Sequence, residues 1–141
     1  MKLPDTNVFL YSVNPLSSHH KQAALWLGDA FDSAPGVGLA WLALIGFIRL
    51  STQPAILPKP LSVANATSVV EDWLLHPRAR LLHPPERHSG ILSRLLLVAG
   101  TAANLTYNAH LAALGLEHGA TVGSFDKDFK KFSGLKLEFL A

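Results

Sequence analysis

The stretch that most constrains the fold runs from Asn104 to Phe129 and contains a helix pattern, a strand pattern and an acidic turn. Small and apolar residues at helical spacing predict a helix that ends at Gly119, because glycine accepts the left-handed conformation that closes a helix. The apolar run 120–123 has the length of a buried strand. Asp126 and Asp128 follow it. Ligands bind at the carboxyl ends of strands in open α/β sheets, so this turn is the predicted place of a site.

The start of the chain supplies a matching piece. Residues 1–5 form a very short strand pattern that ends in Asp5, and an apolar run, 8–11, follows. If the two strands are parallel neighbours, Asp5, Asp126 and Asp128 converge. Three carboxylates repel one another and raise each other's pKa unless a hard cation lies among them. The pattern therefore favours Mg²⁺ or Mn²⁺ over acid–base chemistry alone.

Between these two pieces, short strand patterns alternate with helix patterns. The remaining strands are predicted at 37–40, 80–83 and 136–140. The remaining helices are predicted from Thr6 or Asn7 as N-cap to about Asn14, from Ser17 or Ser18 to Asp32, and over 41–50, 62–76 and 86–100. This alternation indicates an α/β fold with a mostly parallel sheet, helices on both faces and the last strand at an edge.

Composition limits the class of protein. A chain of 141 residues, 49% hydrophobic, predicts a single domain over 1–141 with one core and some apolar surface left for a partner. The net charge of +2 permits nucleic-acid binding, although no basic run exceeds Lys130-Lys131. Cysteine is absent, no signal-peptide pattern opens the chain, and no apolar run approaches the roughly 18 residues of a membrane helix. We therefore expect a cytoplasmic protein without a membrane segment.

Four segments together resemble one known family. They are PDTNVFLY from residue 4, WLALIGFIRLSTQP from residue 41, ERHSGILSRLLLVAGTAANL from residue 86 and NAHLAALGLEHGATVGSFDKDF from residue 108. They resemble the PIN-domain family and, more narrowly, the VapC ribonuclease toxins of VapBC toxin–antitoxin pairs. The resemblance covers nearly the whole chain. It implies a PIN-like three-layer α/β/α sandwich with a short-stranded, mostly parallel sheet.

The resemblance also implies a function. It is that of a Mg²⁺-dependent endoribonuclease, with Mn²⁺ as the other candidate metal, which cuts structured RNA such as a transfer RNA or ribosomal RNA loop. The implied partners are a cognate VapB-type antitoxin, the RNA and a second copy of the chain. By the same resemblance, the metal would be held by Asp5, residue 108 and Asp126, with Asp128 as an added acid. Residues that would orient these carboxylates or bind RNA are Thr6, Asn7, Arg49, Asn104 and Ser124.

Two positions depart from the family pattern. Asn108 stands where the family has a metal-binding aspartate, and Gly46 or a neighbour stands where it has a glutamate. Asparagine keeps the shape of aspartate but loses its charge, which weakens metal binding and leaves the fold almost unaffected. Three explanations stay open for Asn108: an engineered replacement, a natural weakened or inactive relative, or a site that uses the amide as a neutral ligand.

Other interpretations of the same residues remain. The chain could be a catalytically silent PIN domain that binds protein or RNA. An unrelated receiver domain also gathers aspartates at strand ends, but it needs an early acidic pair, and here only Asp5 is early. Thr6 and Asn7 could simply cap a helix, and Arg49 could be structural. His19 and His20 are adjacent and so point apart on a helix, which favours a surface or RNA-facing role over metal binding.

Overall fold

A computed structural model describes residues 1–141. Its strands are β1 (Lys2–Pro4), β2 (Val37–Leu39), β3 (Ala79–Leu81), β4 (Thr121–Ser124) and β5 (Leu137–Phe139). Its α-helices are α1 (Thr6–Ser12), α2 (His20–Asp32), α3 (Trp41–Ser51), α4 (Val63–Leu75), α5 (His88–Ala99) and α6 (Thr106–His118). Single 3₁₀ turns occupy Ala103–Leu105 and Lys127–Lys131.

The five strands form one sheet in the order β3-β2-β1-β4-β5, and every neighbouring pair is parallel. The predicted α/β fold is confirmed, and the sheet is wholly rather than mostly parallel. The last strand, β5, lies at an edge as predicted. The chain adds strands outward from β1 to β3 and then crosses back to place β4 on the other side of β1. The order therefore reverses at the β1–β4 junction, where open α/β sheets form their binding crevice.

Helices cover both faces of the sheet. The right-handed crossovers usual for parallel strands assign α1 to α4 to one face and α5 and α6 to the other, because the chain moves one way along the sheet from β1 to β3 and the other way from β3 to β4. Adjacent residues of β4 contact the two layers. A Cβ at Gly115 of α6 would lie 3.1 Å from Val122, and a Cβ at Gly123 would lie 2.3 Å from the ring of Trp26 in α2. These contacts give the three-layer arrangement expected for the family.

Three predicted helix starts differ from the structure, and one of them is that of α5, which begins at His88 rather than at Glu86. The N-cap of α1 is Asp5, whose Oδ1 accepts a hydrogen bond from Thr6 N at 2.7 Å, so Thr6 and Asn7 are not caps. Helix α2 begins at His20 with His19 as N-cap, later than the predicted Ser17 or Ser18.

Two predicted strands differ in position from the structure: β4 is displaced by one residue, and β3 covers 79–81 instead of the predicted 80–83. Strand β4 begins at Thr121 because Ala120 N donates to Gly115 O at 2.9 Å and so closes α6 rather than joining the sheet. Strand β3 begins at Ala79, which lies opposite Val37 in the register of β2.

The short strands form the centre of the hydrophobic core. Leu3 of β1, Val37 and Leu39 of β2 and Val122 of β4 have no exposed surface. They belong to a cluster of 26 buried apolar residues that also receives Phe9 from the helical layer. This packing fixes the ends of β1 and β4 firmly. None of the helices has the length and apolar composition that a membrane-spanning segment requires.

Candidate active site

Asp5 and Asp126 come together because their strands are neighbours. Strand β1 pairs with β4, with Pro4 opposite Gly123, so the residues after each strand meet at one edge of the sheet. The Ser124 hydroxyl donates to Asp5 Oδ2 at 2.7 Å and accepts a hydrogen bond from Asp126 N at 2.9 Å. One buried hydroxyl therefore connects the two acidic residues.

Asn7 completes this connection from α1. Its Nδ2 donates to Ser124 Oγ at 3.3 Å, and its Oδ1 accepts a hydrogen bond from Phe125 N at 3.2 Å. The amide thus binds both the hydroxyl and the backbone just after β4. Asn7 is a positioning residue that holds the end of β4 against the start of α1.

Asn108, in the first turn of α6, contacts Asp126. Its Nδ2 donates to Asp126 Oδ2 at 3.0 Å. Asp126 Oδ1 accepts a hydrogen bond from Asp128 N at 2.9 Å and so caps the following 3₁₀ turn. Both carboxylate oxygens of Asp126 therefore have donors inside the chain.

The site is short of positive charge. Burial raises the pKa of Asp5 above its ordinary value, and the negative charge of Asp126 also raises it. Hydrogen bonds from Ser124 and from the Thr6 backbone act in the opposite direction. A cation beside Asp5 would relieve this cost, because an opposite charge stabilises the ionised carboxylate.

Asp5 and Asn108 also line a cleft of about 560 Å³ between α3 and α6. Its lining comprises Asp5, Thr6, Leu42, Ala43, Ile45, Gly46, Arg49, Leu50, Tyr107, Asn108 and Leu111. Arg49 is the one cationic residue in this lining, and it makes no salt bridge within the chain. An unpaired guanidinium in a cleft suits a phosphate, which it can bind through two parallel hydrogen bonds.

Gly46 stands on α3 where this helix packs closely on α1. Thr6 Oγ1 donates to Ala43 O at 3.1 Å, and a Cβ at Gly46 would lie 2.7 Å from that hydroxyl. Helix α3 contributes no acidic residue to the cleft. The Thr6 side chain thus occupies the space beside Gly46, the position at which the family has a glutamate.

The sequence matches the family model described as "PIN domain" over residues 2–135. The chain belongs to the PIN-domain family. Ribonuclease VapC37 of Mycobacterium tuberculosis is 47% identical over 136 residues, covering 96% of this chain and 94% of that protein. Ribonuclease VapC33 of the same species is 39% identical, covering 96% and 95%. Within the PIN-domain family, the chain is thus a member of the VapC group.

Solved structures show the same fold at low sequence identity. Mycobacterium tuberculosis VapC20, described as a sarcin–ricin-loop-cleaving toxin, matches with a TM-score of 0.68 and 17% identity, covering 96% of this chain and 99% of that one. FitAcB from Neisseria gonorrhoeae matches with a TM-score of 0.64 and 18% identity, covering 97% and 96%. The PIN-like architecture is therefore confirmed.

Two residues of the predicted site lie apart from the Asp5–Asp126 pair in this PIN domain. The Asp128 carboxylate forms a salt bridge with Lys131 at 3.1 Å. Asn104 is exposed in the 3₁₀ turn before α6 and does not line the cleft. The expected convergence of three carboxylates is wrong, since the chain holds no group of three or more acidic or histidine residues that could bind a metal ion. The site combines two carboxylates and one amide.

The sequence patterns did not predict the aromatic and apolar residues that form the walls of the cleft. Tyr107 and Ile45 line the cleft from opposite helices. Their sequence positions could have indicated this role for two residues of α6. Tyr107 immediately precedes Asn108, and Leu111 lies four residues after Tyr107 on the same helix face. Helix periodicity alone could not show that these residues face α3, since that contact joins distant parts of the chain.

Proposed function

We propose that this PIN domain is the toxin of a VapBC-type toxin–antitoxin pair and acts as an endoribonuclease on structured RNA. The observation that carries the proposal is the pairing of Asp5 and Asp126 through Ser124, beside a cleft that is lined by Asp5 and Arg49. The ribonuclease names of VapC37 and VapC33, at 47% and 39% identity, support the reaction.

The residues present fit a magnesium ion. Mg²⁺ is commonly bound through one or two carboxylates, with water and substrate phosphates as its other ligands. Asp5 and Asp126 would hold it, and Asn108 would offer its amide oxygen. The raised pKa of Asp5 supports the need for a cation there. Bound Mg²⁺, or Mn²⁺ in its place, would supply activation of water and charge stabilisation for phosphodiester hydrolysis.

The chain's own residues would bind and orient the RNA. Arg49 would hold a phosphate at the rim of the cleft. Ser124 and Asn7 would keep the carboxylates of Asp5 and Asp126 at a fixed separation, and Thr6 would fix the wall formed by α3. Asp128 would act only indirectly, since its backbone N–H donates to Asp126 while its carboxylate pairs with Lys131. Asn104 would contact RNA only beyond the cleft.

Asn108 would make this chain a weakened or inactive form of the nuclease. An amide in place of a carboxylate removes one charge from the site, and at about 4 Å that charge contributes several kcal/mol toward a divalent ion at an effective dielectric of 20. Asn108 Nδ2 instead donates a hydrogen bond to Asp126 Oδ2 at 3.0 Å. Engineered replacement, natural inactivation and use as a neutral ligand are all consistent with this geometry.

The partners follow from the relatives. Structures similar in fold include VapBC complexes from Rickettsia felis and Salmonella typhimurium bound to DNA. We propose a VapB-type antitoxin, a second copy of the chain and structured RNA as partners of a single domain over 1–141. An RNA substrate and a DNA-bound complex of this kind support a cytoplasmic location.

The test is RNA cleavage by the parent chain and by its Asn108→Asp variant, each with Mg²⁺, with Mn²⁺ and with EDTA. We expect the aspartate variant to cut structured RNA with metal and to lose activity with EDTA, while the parent cuts weakly or not at all. Asp5→Asn in the Asn108→Asp background is the matched control and should abolish cleavage. Absence of cleavage by every form would contradict the enzymatic proposal.

A second candidate function is a catalytically silent PIN domain that binds RNA or protein. It is favoured by the hydrogen bond from Asn108 Nδ2 to Asp126, which satisfies the acid without a metal ion. Under this alternative, Asn108→Asp would leave the chain without nuclease activity while binding of RNA or antitoxin persisted. Parallel cleavage and binding assays on the same variant separate the two functions.

A further inference from the structure

Tyr107 is the most exposed aromatic residue at the candidate active site. Its exposed fraction is 71%, and it lines the cleft immediately before Asn108 in α6. Ile45, 56% exposed, lines the same cleft from α3. Single exposed apolar side chains are ordinary on protein surfaces. Here Tyr107 and Ile45 form opposite walls of the cleft that is also lined by Asp5 and Arg49. A ligand in the cleft would therefore contact both side chains.

The chemistry of the cleft fits an unpaired nucleotide. An aromatic ring binds the flat face of a base by stacking, and Arg49 binds the adjoining phosphate. An acidic polypeptide would use Arg49, but its carboxylates would lie beside the Asp5 carboxylate, which lines the same cleft. A base within a duplex has no free face, so stacking on Tyr107 requires a single-stranded or looped segment.

We propose that Tyr107 is a base-stacking residue, which seats one unpaired base of single-stranded or looped RNA beside the Asp5–Asp126 pair. The proposal rests on the proposed function and specifies how that site recognises its substrate. Stacking is tolerant of sequence, because every base has a flat face. Tyr107 therefore sets affinity and placement for an unpaired nucleotide and leaves the identity of the base to other contacts.

Binding can be measured on the chain as it exists, without metal, so that cleavage does not interfere. The probe is a short single-stranded RNA that carries 2-aminopurine, read by fluorescence quenching and by anisotropy at low salt. We expect Tyr107→Ala to raise Kd by about 5- to 150-fold and to abolish quenching. Tyr107→Phe keeps the ring and should behave as the parent. Leu75→Ala removes an equally exposed side chain of α4, outside the cleft, and is the matched control.

Unchanged RNA affinity and quenching in Tyr107→Ala would overturn the proposal. If the same variant instead loses affinity only for an antitoxin peptide, the proposal is also overturned and the surface belongs to a polypeptide partner. Failure of Asn108→Asp to cut RNA, with Tyr107-dependent binding intact, would refute only the enzymatic function. Cleavage by Asn108→Asp without any dependence on Tyr107 would refute only the stacking role. Absence of any RNA binding would refute both.

Discussion

At the scale of single residues, Asn108 stabilises a site that an aspartate would strain. Its Nδ2 donates to Asp126 Oδ2, and the nearby Asp5 already has a raised pKa because of burial. A carboxylate at position 108 would add a third negative charge near these two and would leave Asp126 Oδ2 without its donor. The site with aspartate at position 108 therefore depends on a cation, whereas Asn108 supplies a hydrogen-bond donor to Asp126 without one.

We accordingly expect Asn108→Asp to lower the free energy of unfolding by about 1.5–3 kcal/mol in EDTA, the usual contribution of a hydrogen bond to a charged group. Mg²⁺ should restore the loss, and it should raise Tm more in the variant than in the parent, because ligand binding to the native state stabilises it. Thermal unfolding with and without metal measures both effects. Asn108→Ala removes the donor without adding charge and should gain less Tm from metal than Asn108→Asp. A variant as stable as the parent in EDTA would contradict the account.

Gly46 provides a second residue-scale prediction. Alanine in a helix interior normally stabilises by about 1 kcal/mol over glycine. Here the added Cβ would lie 2.7 Å from Thr6 Oγ1, so Gly46→Ala should instead destabilise by about 1–3 kcal/mol, as overpacking does. In a Thr6→Ala background the same change should be neutral or stabilising. Urea unfolding of the four proteins in this cycle measures the coupling, and additive effects would exclude the contact as the cause.

At the scale of elements, α5 and α6 are joined by a polar network that the sequence analysis missed. His88 Nδ1 lies 2.7 Å from Glu117 Oε2, and His88 Nε2 lies 2.9 Å from His110 Nδ1. The Glu117 side chain has no exposed surface. This network sits between the helix that carries Asn108 and the helix before it, so it affects how α6 is seated on the rest of the fold.

The network predicts a pH dependence of stability. Burial lowers the pKa of His110 below its ordinary value, and the charge of His88 lowers it further, against the opposing charge of Glu117. The unfolded chain therefore binds this proton more readily than the folded chain. Stability should be complete above the ordinary value near 6.5 and should fall as the pH drops below it. Urea unfolding at about pH 7.5 and about pH 5.5 measures the loss. His110→Asn should reduce it, and an identical pH dependence in that variant would contradict the assignment.

The elements also show how far the sequence could predict this molecule. The helices and strands were recognisable because each is marked by a local signal, such as Gly119 after α6 or Ser62 capping α4. The exact start of β4 was not recognisable, since it depends on the backbone hydrogen bond from Ala120 N to Gly115 O. The pairing of Asp5 with Asp126 followed from parallel strands. The cleft walls and the His88–Glu117–His110 network depend on packing between distant segments, for which local patterns carry no signal.

At the scale of the whole molecule, the charge distribution limits how RNA can be bound. The net charge is +2, and Arg49 is the one cation that lines the cleft. Binding should therefore involve few phosphate contacts.

We expect the logarithm of the RNA association constant to fall with the logarithm of salt concentration with a slope of about −1 to −3, since each phosphate contact with a single strand contributes about −0.7. Arg49→Gln should weaken binding and make the slope shallower by about 0.7. Anisotropy titrations over a salt series measure both quantities, with Lys59→Gln as an exposed control outside the cleft. A slope unaffected by Arg49→Gln would show that phosphate is held elsewhere.

The hydrogen bond between Ser124 and Asp5 spans 119 positions of the sequence. A growing polypeptide emerges from the ribosome with its N-terminal part first. Asp5 therefore lacks its Ser124 hydrogen bond until β4 has been synthesised and has left the exit tunnel. The Asp5–Asp126 pair therefore forms only after the three earlier strands and β4 have all been made. Its assembly is a late event in the synthesis of the fold, although Asp5 is among the first residues made.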